Sequence, residues 1–261
     1  MEILGFALAL FVGITLGLIG GGGSILAMPI LVYIFHINPQ LATSYSLFIV
    51  GISAFIGSVK HYKLNNLQLR VAFVFGIPSI LSLLLTRKFI LPLIPNKLFT
   101  IHGITITKNI LLMIVFAVLM IIASLSMIKN KSNNKYIQIP SNSKLVLIGF
   151  LVGLVTGFLG AGGGFLIIPA LIFFAALPMK KAIGTSLLII ALNAIFGFIG
   201  DVLNHVELNY TLLTMFSTIA IVGIFIGTFL SKKIDGDKLK PAFGWFILVA
   251  GIYILAKEIW M

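Results

Sequence analysis

The residues best placed to do chemistry in this sequence are glycines. GLIGGGGSILAMPIL runs from Gly17 to Leu31, and GFLGAGGGFLIIPAL runs from Gly157 to Leu171. Gly20, Gly21, Gly22 and Gly23 break the first apolar run; Gly160, Ala161, Gly162, Gly163 and Gly164 break the second. Glycine reaches backbone conformations closed to other residues and lets another backbone come close. Helices that restart near Ser24 and Gly164 expose unpaired N–H groups and a partial positive charge, which suits an anion without a buried lysine. Pro29 and Pro169 are expected in the first two turns of those helices, where they disturb the hydrogen-bond ladder and free carbonyls. No GK[ST] follows the glycines and no strand precedes them, so a nucleotide-binding loop is excluded.

Hydroxyls form the second constellation. TSYS supplies Thr43, Ser44 and Ser46, and GTS supplies Thr185 and Ser186 at the corresponding place of the second half. Such groups can bond an oxyanion or cap the preceding helical turn, and both readings stay open. Asn193 lies deeper among apolar neighbours and needs an interior partner; substrate contact is a second reading. His36, His61 and Asp201 are the candidates for coupling to protons or sodium, with interfacial anchoring as the plainer alternative. Basic side chains fall in loops or near span ends, with Arg87 and Lys88 read as the start of an outer loop. No HExxH, carboxylate pair or Ser/His/Asp cluster lies at membrane depth, so the sequence points away from an enzyme and from a metal or other resident cofactor.

The elements that must position these groups are set by composition. Of 261 residues, 60% are hydrophobic and 9% charged, against about 25% charged in ordinary soluble domains. Apolar runs of spanning length recur at roughly 4–35, 42–59, 71–86, 110–128, 145–177, 182–199, 210–230 and 242–256. This predicts an all-α polytopic membrane protein with about eight hydropathy spans. Two of them are Gly-broken helical hairpins, giving up to ten helical elements. The net charge of +12 is scattered between the apolar runs, with no continuous basic face, so membrane orientation explains it and nucleic-acid binding does not. The absence of cysteine excludes disulfides and thiolate metal sites. MEILGFALALF carries an acid where a signal peptide carries a base, and reads as part of the mature chain.

The two halves are copies. An offset of 140 residues places Gly20 on Gly160, Gly22 on Gly162, Pro29 on Pro169, Ser46 on Ser186 and Gly57 on Gly197, without a gap. Residues 1–128 form the first repeat and 145–261 the second; the polar stretch 129–144 is a cytoplasmic linker, and the whole makes one transport domain. Lys60, Lys63 and Arg70 follow the 42–59 span, whereas Asp201, His205 and Glu207 follow its counterpart, and Lys180 and Lys181 precede it. The charge bias reverses between the copies, so the positive-inside rule predicts an inverted repeat with both termini outside. Leu4 to Leu18 and Ile25 to Phe35 reach roughly 22 and 16 Å as helices, short of a ~30 Å hydrocarbon core. Two hairpins with tips meeting inside the protein fit those lengths.

These paired motifs, each followed by ATSYSL or GTSLL, resemble the TauE/SafE sulfite exporter family over essentially the whole chain. The resemblance implies an inner-membrane permease for sulfite, sulfoacetate or related organosulfur anions. It carries a site onto Gly20, Gly22, Gly23, Pro29 and Ser46, and onto Gly160, Gly162, Gly163, Pro169 and Ser186. The expectation is a secondary transporter that moves a small sulfur-containing oxyanion across the cytoplasmic membrane by alternating access. An anion channel and a transporter of small carboxylates are the alternatives. The expected partners are the lipid bilayer and the small anion.

Overall fold

The computed structural model describes residues 2–95, 97–101, 104–129, 141–159, 164–203 and 208–260. The apolar runs of the first half fold as α1 (Glu2–Ile19), α2 (Gly22–Tyr33), α3 (Pro39–Lys63), α4 (Leu69–Leu85) and α6 (Lys108–Lys129). Those of the second half fold as α7 (Asn142–Leu159), α8 (Ile167–Phe173), α9 (Met179–Leu203), α10 (Tyr210–Lys233) and α11 (Gly236–Trp260). Local chemistry fixes several ends. Asn38 caps α3 by accepting from the Gln40 amide at 2.9 Å, with Pro39 in the first turn. Asn209 caps α10 in the same way through Leu212, at 3.1 Å. Lys60, His61 and Lys63 close α3, and Lys232 and Lys233 close α10, where cations favour the helix dipole.

Among the described residues, seven helical segments are long and apolar enough to cross a membrane, and 5–19, 23–33 and 164–173 form shorter apolar helices. Large apolar side chains such as Phe73, Ile122, Val222 and Ile252 stand exposed around the outside, as a lipid-facing wall requires. The protein is thus an all-α polytopic membrane protein, with one short antiparallel hairpin, β1 (Lys97–Ile101) and β2 (Ile104–Thr107), in a connection.

The region between α4 and α6 corrects the sequence reading. The helix does not stop at Leu85: a π-helical segment, Thr86–Ile90, and a last turn α5 (Leu91–Leu93) extend it, so that residues 69–93 form one span. Arg87 and Lys88 therefore belong to a helix and not to the start of a loop. The linker expected at 129–144 falls mostly outside the described residues.

α3 and α9 make the centre, with 72% and 67% of their spanning windows buried, against 28–44% for the other five spans. They run antiparallel: Gly51 faces Ala194 and Ile195, Gly57 faces Leu187, and Gly197 faces Leu47. Around them, α1 lies parallel to α10, with Gly13 against Ala220 and Gly223 and Gly17 against Ile224 and Thr228. α7 lies parallel to α4, with Gly149 against Phe75 and Gly153 against Ser79 and Ser82. α6 pairs antiparallel with α11 through Gly244 and Gly251. Exchanging the halves turns each of these pairings into another of the set (α1·α10 into α7·α4) or into itself. At one end of the bundle Gly5 of α1 meets Phe35 after α2, so the first broken segment enters and leaves on the same side.

Candidate functional site

The first glycine tip breaks the helix where its sequence suggests. Gly20 takes φ +77°, a conformation that a side chain strains, and its N–H still reaches the Leu16 carbonyl at 2.8 Å. The chain then reverses and α2 starts at Gly22, with Gly21 as an N-cap that supplies no side-chain hydrogen bond. Ser24 Oγ donates to the Gly21 carbonyl at 2.6 Å and so closes the turn instead of capping the amides. Pro29 sits just past the second turn of α2, one step later than expected, because the helix begins at Gly22 and not near Ser24. In the second half, Gly164 opens a 3₁₀ turn that leads into α8, which holds Pro169 in its first turn.

The two tips meet. A methyl group on Gly21 would stand 2.7 Å from the Gly164 carbonyl oxygen and 2.9 Å from the Phe165 Cα. One on Gly164 would press on Ser24 Oγ and Ile190, and one on Gly20 would come to 2.8 Å from Ser186 Oγ. Gly20, Gly21, Ser24, Gly164 and Ser186 are therefore brought together from both halves. Gly160, Ala161, Gly162 and Gly163 lie outside the described residues.

The hydroxyls divide. Ser46 and Ser186 are buried and donate back to the carbonyls of Thr43 and Ile183, at 2.8 and 2.9 Å. Their protons serve their own helices, so in this conformation they offer lone pairs rather than donors. Thr185 Oγ1 accepts from the Gln68 amide at 3.1 Å and ties α9 to the chain just before α4. Asn193 has the interior partner it needs: its Nδ2 donates to Ser79 Oγ at 2.7 Å, while Oδ1 is buried without a partner. Thr43 Oγ1 donates to the Gln40 carbonyl at 2.7 Å.

The coupling candidates separate as well. His36 is exposed in the turn after α2, with φ +54°. His61 is 1% exposed; its Nε2 lies 3.5 Å from the Gly17 carbonyl and its Nδ1 has no partner. Asp201, at the position equivalent to His61, sits in a polar cluster with Arg87, Ser44 and Thr43. Its Oδ1 accepts from Arg87 Nε at 2.9 Å, its Oδ2 accepts from Arg87 Nη2, and Ser44 Oγ donates to Oδ2 at 2.5 Å. Arg87 Nη2 also stands 3.4 Å from both Thr43 Oγ1 and Ser44 Oγ.

Arg87 is the residue that sequence reasoning missed. Its side chain is only 8% exposed and that of Asp201 9%. The expectation that basic groups stay in loops fails here. Asp201 gave half of the signal, since an acid at the end of an apolar helix needs an opposite charge inside the protein; nothing in the sequence named Arg87, at the edge of the 71–86 run, as that charge.

A Gly-tipped hairpin that meets Gly164 and Phe165 of the other half inside a bundle of apolar spans fits a polytopic membrane transporter. The chain belongs to the TauE/SafE sulfite exporter family: the family model described as "Sulfite exporter TauE/SafE" matches residues 5–254. It is similar, at 31% identity over 95% of this chain and 92% of the relative, to a "Probable membrane transporter protein" of Xylella fastidiosa. Relatives given the same description in Methanocaldococcus jannaschii and Bacillus subtilis are 29% and 25% identical, over 97% and 93% of this chain and 93% and 96% of their own lengths. No solved structure matches.

Proposed function

We propose that this transporter is a permease that carries a small sulfur-containing oxyanion, such as sulfite or an organosulfonate, across the cytoplasmic membrane by alternating access. The observation that carries the proposal is the meeting of the first tip with the second half, Gly21 against Gly164 and Phe165 and Gly20 against Ser186 and Ile168, where the N-cap Gly21 brings no side chain to the first amides of α2. Unpaired N–H groups at a helix start favour an anion, and a water-poor interior strengthens that preference. The family's description points to the same substrate class. The antiparallel crossing of α3 and α9 supports an inverted repeat, in which rocking of one half against the other exposes the tips to each side in turn. His61 and Asp201, buried at equivalent positions, are assigned the coupling to protons or sodium.

Uptake of radiolabelled sulfite into proteoliposomes, competed by sulfoacetate, sulfate and short carboxylates, tests the reading. Saturable flux is expected; flux that rises without saturation identifies a channel instead. Gly21→Ala forces a methyl against backbone that cannot yield, and the separated tips should bind the anion roughly tenfold to a hundredfold more weakly, the equivalent of one lost donor at about 1–3 kcal/mol. Ser186→Ala should weaken binding less, since its hydroxyl proton is already committed to Ile183. Unchanged affinity in folded Gly21→Ala protein would reduce the tips to packing devices.

A further inference from the structure

Beside the Arg87–Asp201 pair lies a cavity of about 510 Å³, lined among others by Leu41, Ser44, Arg87, Lys88 and Asp201. It stands at the end of the bundle where α3 begins and α4 and α9 finish, the end at which α1 also starts. Asp201 is fifteen positions from Ser186 along the unbroken α9, about 22 Å at the helical rise, so this cavity is a different place from the contact of Gly20 with Ser186. The charges on its wall are two cations and one carboxylate. Arg87 Nη1 is buried and has no hydrogen-bond partner, although the guanidinium carries a full charge. Burying a charge with one donor unmet is costly, and a bound oxyanion relieves that cost.

We propose that this cavity is an entry station for a small oxyanion, in which Arg87 is the receiving cation and the Asp201 carboxylate is a built-in competitor for it. With the cavity empty, Asp201 holds Arg87 and Ser44 and so locks together α3, the π-helical segment and α9. An oxyanion that draws the guanidinium away from Asp201, and so gives the buried Nη1 a partner, loosens that lock on its way in. Thr86, the neighbour of Arg87, packs on Gly157 of α7, so the station lies over the arm that leads to the second glycine run. The inference rests on the permease reading for its purpose but not for its measurement.

The test uses a single cysteine at Leu41 on the cavity wall of the full-length protein, whose native sequence has no cysteine. In vesicles of zwitterionic lipid, the anionic sulfonatoethyl and the cationic trimethylammonioethyl methanethiosulfonate reagents are compared for rate. A net positive station should favour the anionic reagent by roughly three- to tenfold over an exposed reference position, and sulfoacetate should protect the cysteine. Arg87→Gln should abolish both effects, Arg87→Lys should retain the rate preference, and Asp201→Asn should increase it. Should Arg87→Gln fold poorly because Asp201 is left unpaired, Arg87→Gln/Asp201→Asn removes both charges and should lose protection. Protection with no measurable transport upholds the station and sinks the permease reading. Saturable transport with rates indifferent to Arg87 does the reverse. Block of labelling by added phosphatidylglycerol would assign the cavity to a lipid phosphate and overturn the proposal for a free ion.

Discussion

At Gly20, one backbone angle and one neighbour make a residue irreplaceable. Its φ of +77° costs a side chain about 1–3 kcal/mol, and a methyl there also falls 2.8 Å from Ser186 Oγ, with Ile168 close behind. Gly20→Ala should therefore lower thermal stability in detergent on two separable counts. Combining it with Ser186→Ala removes the hydroxyl collision and leaves the strain, so the pair should be less damaging than the sum of the single changes, with a coupling of about 0.5–3 kcal/mol. Strict additivity would mean that the tip of the first hairpin does not touch α9. At this scale the break at Gly20 and Gly21 and the interior partner of Asn193 were legible in the sequence, because flexible backbone and polar groups among apolar ones stand out. Arg87 was not, because a charge at the edge of an apolar run looks the same whether the chain leaves the membrane or continues into a paired interior.

Element boundaries followed hydropathy closely. The apolar run at 42–59 became α3, the run at 182–199 became α9, and each gained a few polar residues at its ends because helices continue past the hydrocarbon. The exception was the chain after Leu85, where Thr86–Ile90 winds as a π-helix. A π-turn leaves no hydropathy signature and often marks a working position, here the one that turns Arg87 toward Asp201. Pairing of elements was invisible too, since it depends on which small residue meets which backbone. Gly149 lies against the Phe75 carbonyl and Gly153 against Ser79, so Gly149→Ala should push α7 from α4 and cost about 1–3 kcal/mol. Gly76 is the control: its nearest neighbour to an added methyl is Ile189 at 3.8 Å, an ordinary contact. Gly76→Ala should be neutral or raise stability by up to about 1 kcal/mol through better helix propensity. If Gly149→Ala melts no lower than Gly76→Ala, the close approach of these two helices is wrong.

The whole molecule turns on how the two copies are inserted. A parallel duplication would carry equivalent helices in the same direction, yet α3 and α9 are equivalent by sequence and cross antiparallel through Gly51, Gly57 and Gly197. Charge supports the same relation. Lys60 and Lys63 end α3, Lys180 and Lys181 begin α9, and Lys232 and Lys233 end α10, all at one end of the bundle. The basic residues at the opposite end include two that are taken up by the protein: Arg87 pairs with Asp201, and Lys108, 5% exposed, donates to the Leu91 carbonyl at 2.5 Å. With Arg87 and Lys88 inside the 69–93 span and not in a loop, that region gives fewer loop charges to the positive-inside count than the apolar run 71–86 suggested. Lys63 and Leu203 occupy equivalent positions of the repeat and are both exposed, Leu203 by 72%. Cysteines placed there one at a time should react with a membrane-impermeant maleimide from opposite sides of intact cells, Lys63→Cys only after permeabilisation and Leu203→Cys without it. Labelling of both from one side would make the duplication parallel, and with it the two hairpins would enter from the same face and could not serve as the alternating halves of one pathway.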